Sequence, residues 1–425
     1  MGSAGLARRE VARDSASELT AGESSFRNAK LRDAVLIVYK AIADAAGKGA
    51  FFVITIVAAR RLTPYAFGVF ALGTTVGWML AVLTDFGMQM HLSRAVASRP
   101  QIARALLRRW WRLRVASASA GLALFVIACV VGRVDRALTL PLTLFAIAYL
   151  LTSLVEFINY YYRGLSRSDL ESTLTLGQRA VTLVLAVGAL SWRPDVNLLA
   201  LAMALPAIAS LAWSIAWVRR LDGGAEGGDA ADDFVADVLP IGLGIVLSAL
   251  YFRIDVFLVQ LWLGAEALGR YNAVFRFVDA VRLFPAAVLA VTLPWLCRAR
   301  DYRALAGVTS FLFVVAAAVA SAIWIGAHSI VTLLFGSQYR TAAPALRILA
   351  LALPLLFANL ALTHQLIGWN RQQAFAAICA AALAVNLGLN VFLIPALAIE
   401  GAAWATVGTE MCVTAGCLFA LRGRP

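Results

Sequence analysis

Apolar runs long enough to form membrane helices recur from residue 34 to residue 421, separated by short polar connections in which charge, glycine and proline gather. A helix needs about 20 apolar residues to cross a hydrocarbon core about 30 Å thick. Twelve runs meet that length. Six lie in the first half, near 34–59, 67–90, 114–132, 138–160, 171–191 and 197–218. Six lie in the second, near 235–262, 268–296, 305–335, 343–367, 372–394 and 401–421. The connections leave no room for a sizeable domain outside the bilayer. The pattern predicts an all-α polytopic membrane protein with about 12 transmembrane helices.

Composition agrees. The 425 residues are 61% hydrophobic and only 14% charged, with a mean hydropathy of +0.80, whereas a soluble chain carries roughly a quarter charged residues. A cytosolic enzyme, a disordered regulator and a secreted disulfide scaffold are excluded. The net charge of +13 points to topology, not nucleic acid, because the basic residues sit between the apolar runs. With the N-terminus in the cytoplasm, 23 Lys and Arg fall in inner segments, 7 in outer connections and 7 within spans. That bias predicts both termini in the cytoplasm of a cell whose inner membrane holds the protein. The five cysteines stand singly with no Cys-x-x-Cys pair, and there are three histidines, so neither a disulfide framework nor a metal site is expected. No Gly-rich phosphate loop, His-Glu-x-x-His or Ser-His-Asp set is present, and no cofactor is predicted.

The first 33 residues are polar and basic, without the apolar core of a signal peptide, and predict a disordered cytoplasmic tail. Residues 219–234 are rich in Gly and Asp and read as a flexible, solvated linker. They divide a six-helix lobe over 34–218 from a second over 235–421, followed by a short tail at 422–425. Two echoes join the halves. Leu62-Thr63-Pro64-Tyr65-Ala66-Phe67-Gly68-Val69-Phe70 matches Leu263-Gly264-Ala265-Glu266-Ala267-Leu268-Gly269-Arg270-Tyr271 in its Leu, Ala and Gly, and Gly164-Leu165-Ser166-Arg167 matches Gly368-Trp369-Asn370-Arg371. An even number of spans separates the copies, so the repeat is parallel, about an axis along the membrane normal.

Charges within spans cost about 2.5–3.5 kcal/mol each on insertion scales and need a reason. Lys40, Asp44 and Lys48 are spaced by four, on one face of the first span. They make either a hydrated basic wall or an ion-pair ladder with Lys40 reaching toward the headgroups. The seventh span carries Arg253 and Asp255, and the eighth Arg276, Asp279 and Arg282. Pairing between these two helices and a second basic wall are the competing readings. Arg179 and Arg347 add cations, while Asp85, Glu156 and Glu410 stand as lone acids, to be paired with a neighbouring arginine or used in ion coupling. Asn386, Asn390, His364 and Gln365 suit hydrogen bonds between helices.

The order of short motifs resembles the polysaccharide-transport branch of the multidrug/oligosaccharidyl-lipid/polysaccharide flippase superfamily, the Wzx-type O-antigen and capsule flippases. The motifs are Ala59-Arg60-Arg61-Leu62 with Phe67-Gly68-Val69-Phe70, Asp85-Phe86-Gly87, Arg253-Ile254-Asp255, the run 263–273, Leu334-Phe335-Gly336-Ser337-Gln338-Tyr339, and Ile394-Pro395 with Ile399-Glu400-Gly401-Ala402-Ala403. Ala398 departs from the pattern, since many relatives have Gly before that Ile. The resemblance implies a flippase, not an enzyme, that carries a polyprenyl-pyrophosphate-linked oligosaccharide to the outer leaflet for surface polysaccharide assembly, with the bilayer and other assembly proteins as partners. Lys40, Lys48, Arg253, Arg276 and Arg282 are the candidates for a substrate-binding basic cavity, and Asp44, Asp85, Asp255 and Asp279 for ion coupling or salt bridges. A cation-coupled multidrug antiporter of the same superfamily is the nearest alternative, although its cationic cargo favours acidic walls. A membrane-embedded glycan polymerase or ligase is more remote, for want of a large outward loop.

Overall fold

The computed structural model describes residues 39, 43, 45–220, 238–299, 302–369 and 371–422. Lys40, Asp44, the tail over 1–33, most of the 219–234 linker and residues 423–425 lie outside the described residues.

Every described element is helical. The first helix runs over 45–61 (α1). Then come Pro64–Asp85 (α2), Met88–Ser98 (α3), Ala103–Val131 (α4), Arg136–Gly164 (α5), Ser168–Trp192 (α6) and Val196–Arg220 (α7). The second half supplies Leu239–Val281 (α8), Leu283–Ala299 (α9), Tyr302–Phe335 (α10), Ala343–Gly368 (α11) and Gln372–Arg422 (α12). Among the described residues, nine helical stretches are long and apolar enough to cross a membrane. The chain is a multi-pass membrane protein.

Local chemistry sets the ends. Thr63 caps α2 by accepting from the Ala66 amide at 3.2 Å, with Pro64 in the first turn, where a missing N–H costs nothing. Phe86 and Gly87, both at positive φ, turn the chain out of α2 into α3. Residues 94–114, which the sequence reads as a connection, are helix over most of their length. Leu106, Leu107 and Trp110 are buried while Arg108, Arg109 and Arg112 face outward. Charge keeps this stretch out of the hydrocarbon without removing its helical face. α8 and α12, of 43 and 51 residues, are each too long for one crossing and each breaks at one residue, Gly264 or Ala398. Gly264 has φ 79°, which glycine adopts without a Cβ penalty.

The packing distinguishes the two ends of the molecule. One large apolar cluster includes Leu62, Phe67 and Phe70 of the first half with Leu268, Tyr271, Phe335 and Tyr339 of the second. At the end carrying Arg163, Arg167, Arg219 and Arg371, here termed the basic end, there are two smaller clusters. One is built mainly by α3, α4 and α5 around Leu106, Phe157 and Tyr161. The other is built by the second half around Leu366, Ile378 and Cys417. The halves share one large core at the closed end; at the basic end they touch through Val238 and Gly242 at the start of α8, which pack on the first half's cluster and on Phe86.

The closed end has an unusual contact. A Cβ on Gly68 would strike the main-chain carbonyl of Ala265, and a Cβ on Gly269 would strike that of Pro64. Pro64 and Ala265 hold the same place in the two sequence echoes, as do Gly68 and Gly269. Residue i touching j′ while j touches i′ is the pattern of a two-fold interface.

Candidate functional site

Between the halves lies an open cavity whose empty volume, counting the space at its mouth, is ≈ 2110 Å³. α1 contributes Lys48, Phe51, Phe52 and Thr55; α2 and α3 contribute Thr74, Thr75, Trp78 and Gln89. α5 and α6 add Tyr149, Glu156, Asn159, Tyr160, Arg163, Glu171, Thr175 and Arg179. The second half adds Phe252, Arg253, Arg276, Asp279 and Arg282, with Leu283 and Ala286 at the start of α9.

Four of the five basic candidates therefore meet in one place. Lys48 is exposed on the wall. Arg253 is buried where the halves touch, donating to Thr75 Oγ1 of the first half at 2.9 Å and to Asn272 Oδ1 at 3.2 Å. Its guanidinium lies 4.7 Å from the Phe275 ring centre. Arg276 stands over Phe51 at 4.9 Å, and Arg282 over Phe252 at 5.0 Å. Guanidinium over an aromatic face is a favourable way to hold a cation at a poorly hydrated site. Lys40 is outside the described residues.

The acids separate by role. Asp279 lies 3.7 Å from both Arg276 and Arg282 on its own helix, one turn to either side. The pairing between α8 segments offered by the sequence does not form: Asp255 instead accepts from the Tyr271 hydroxyl at 2.6 Å and from the Val256 amide at 2.9 Å. Asp85 is away from the cavity wall and is paired. Arg114, fully buried, places Nε 3.4 Å from Asp85 Oδ1 and donates to Thr84 Oγ1 at 3.2 Å and Ser153 Oγ at 2.5 Å. This unit ties α2, α4 and α5 together. Glu410 hydrogen-bonds Asn359 at 2.7 Å and has no arginine partner among the described residues. Asn386 donates to Thr409 across α12 at 3.0 Å, an interhelical bond of the expected kind.

Sequence reasoning missed several wall residues. Arg163 counts in the topology tally as an inner connection, yet it lines the cavity, ion-pairs with Glu171 and covers the Tyr160 ring at 4.0 Å. Glu171 opens α6 eight residues later, a spacing with no meaning until the α5–α6 turn brings the two together. Glu156 is paired with Arg179 at 3.4 Å. Trp78, Tyr149 and Tyr160 sit in apolar runs where nothing marks them. Arg347, by contrast, spends its guanidinium on the Trp324 carbonyl at 3.3 Å, away from the cavity.

The profile of the family described as "Polysaccharide biosynthesis protein" matches residues 37–300, more than half of the chain. The chain belongs to that family. No curated protein sequence matches. Among solved structures, a lipid II flippase MurJ in an inward closed conformation is similar with a TM-score of 0.71 at 11% identity, over 91% of this chain and 88% of that one. A MATE protein in complex with MaD3S gives 0.67 at 16% identity, over 91% and 94%. An inward-facing multidrug resistance MATE transporter of the MOP superfamily gives 0.65 at 15%, over 91% and 94%. This member of the polysaccharide biosynthesis family thus has the fold of MOP superfamily proteins along nearly its whole length.

Proposed function

We propose that the protein is a flippase that moves a polyprenyl-diphosphate-linked oligosaccharide from the inner to the outer leaflet for cell-surface polysaccharide assembly. The observation that carries this reading is the chemistry of the cavity. It is wide, polar, open at one end, and lined by six Lys and Arg against three Asp and Glu. A diphosphate headgroup is anionic and accepts hydrogen bonds only, so it needs such a wall, while the polyprenyl tail remains in lipid. Membership of a polysaccharide biosynthesis family supports the cargo class. The Lys and Arg bias of the sequence supports a cytoplasmic basic end with both termini inside; in a bacterial inner membrane the cavity would then face the leaflet where the substrate is made. Cutting the stretches of α8 and α12 at Gly264 and Ala398 turns the nine into eleven, α1 makes a twelfth crossing, and in this reading transport follows from rocking two lobes of six. Of the ion-coupling candidates, Asp85 and Asp279 are committed to arginines, and Asp255 is the carboxylate we assign to that role.

The drug-antiporter reading shares the fold but not the electrostatics, since a cationic drug would meet the same surplus of positive charge. The test is to make Lys48→Ala, Arg253→Ala and Arg276→Ala separately, confirm expression, and follow appearance of lipid-linked glycan in the outer leaflet. Each is expected to slow flipping about tenfold or more, equivalent to about 1.4 kcal/mol. Unimpaired flipping by all three removes the proposal.

A further inference from the structure

The charges of the cavity divide unequally between its walls. On the wall built by the first half, the two arginines each have a carboxylate partner: Arg163 with Glu171, and Arg179 with Glu156. On the wall built by the second half, three arginines (Arg253, Arg276 and Arg282) stand against one carboxylate, Asp279. Lys48 of α1 also lies on the first wall, so that wall keeps one cation in excess of its carboxylates and the second keeps two.

The remaining polar atoms differ in the same sense. On the first wall, the side-chain oxygens of Gln89 and Asn159 are buried and accept no hydrogen bond. On the second, the atom left over is a donor, Arg253 Nη1. The first wall also carries the aromatic rings of Trp78, Tyr149 and Tyr160. A sugar has apolar C–H faces that pack on aromatic rings, and hydroxyls that both donate and accept and so pair with amides. A diphosphate only accepts and is charged, which suits guanidinium groups held in a fixed fork.

We propose that the cavity reads the two parts of its cargo on opposite walls: the diphosphate against Arg253, Arg276 and Arg282, and an uncharged, hydroxyl-rich first sugar against Trp78, Tyr160 and Asn159. This division rests on the flippase reading. It also sets a preference. An acidic first sugar would face Glu156, whose side chain is 48% exposed, and Glu171, with Lys48 as the one cation of that wall outside the two ion pairs.

The test uses the full-length protein in nanodiscs and three probes: undecaprenyl diphosphate alone, the same lipid bearing one N-acetylhexosamine, and the same lipid bearing one hexuronic acid. The native protein is expected to bind the neutral glycolipid about tenfold more tightly than the bare lipid, and more tightly than the acidic one. Trp78→Leu and Asn159→Leu, on different helices, should abolish the gain from the neutral sugar and leave bare-lipid binding within about twofold. Arg276→Gln should weaken all three probes by about the same factor. Where a leucine variant fails to fold, Tyr160→Phe, which removes one hydroxyl, should reduce the sugar's gain alone. Equal binding of all three probes by the native protein overturns the division but leaves the flippase reading standing. So does loss of bare-lipid binding in both leucine variants. Binding of none of the three overturns both.

Discussion

Ala398 carries its backbone at φ 53° and ψ −132° between the two segments of α12, a combination that only glycine adopts freely. Strain of this kind costs on the order of 1–3 kcal/mol and persists because the packing around it over-determines the turn. Ala398→Gly is therefore expected to stabilise the protein by about 1 kcal/mol, read as a higher thermal midpoint in detergent; a midpoint that stays or falls shows that the turn is not strained. The buried pair Asp85 and Arg114 makes the opposite prediction. Removing either partner leaves a buried charge unmatched and costs about 3–5 kcal/mol, so Arg114→Met alone should abolish folded yield. Asp85→Leu with Arg114→Met should recover part of it, and a double variant as poor as the single would show that the pair is not the cause. The sequence shows Asp85 as a lone acid and Arg114 as one more inner-side cation. A tally of loop charges assigns every arginine the same task, and only the fold shows that this one is buried on a carboxylate. Arg276 and Arg282 were legible for the converse reason, because a charge inside an apolar run has no bland explanation.

At the scale of elements, α1 and the end of α10 hold one another across the halves. Arg60 donates to the carbonyls of Leu333 and Leu334, the latter at 2.9 Å. Gln338 returns the favour to Ala59 O at 2.8 Å and Leu62 O at 3.4 Å. Phe67 meets Tyr339 edge to face, 5.7 Å between ring centres. Both helix ends have carbonyls that their own helix cannot satisfy, so each half supplies the donor for the other. Arg60→Ala should loosen the closed end. Spin labels at Tyr65→Cys and Arg340→Cys, both exposed positions, should then show a longer or broader distance distribution; an unchanged one would mean that the apolar contacts alone keep the end shut. The short motifs 59–62, 67–70 and 334–339 were legible as a resemblance long before they had a place. They turn out to be the parts of one closure. Helix count and length were legible because bilayer thickness imposes them. The helical nature of 94–114 was not, because hydropathy reports which residues enter lipid and not which residues are helical.

At the scale of the whole molecule, a single large apolar core joins the halves at the closed end, while the basic end has two smaller cores, bridged only where the start of α8 meets the first half at Val238 and Gly242. The proposed transport cycle would open such an arrangement by rocking, with the cores packed while the junction between halves changes. A short cross-linker between Thr63→Cys and Gln338→Cys should stop outer-leaflet delivery while leaving substrate binding intact; transport that continues in the linked protein would exclude rocking at that junction. The reciprocal contact of Gly68 with Ala265 and Gly269 with Pro64 reaches further. Each half owns both the knob and the socket of its own docking surface. A chain that stopped after residue 220 would carry a complete self-complementary edge and should pair with an identical copy, which the mass of the truncated protein in detergent would reveal. Duplication and fusion of such a self-pairing ancestor would yield the present protein, with the two copies thereafter free to diverge, one toward aromatic and amide side chains and the other toward arginine.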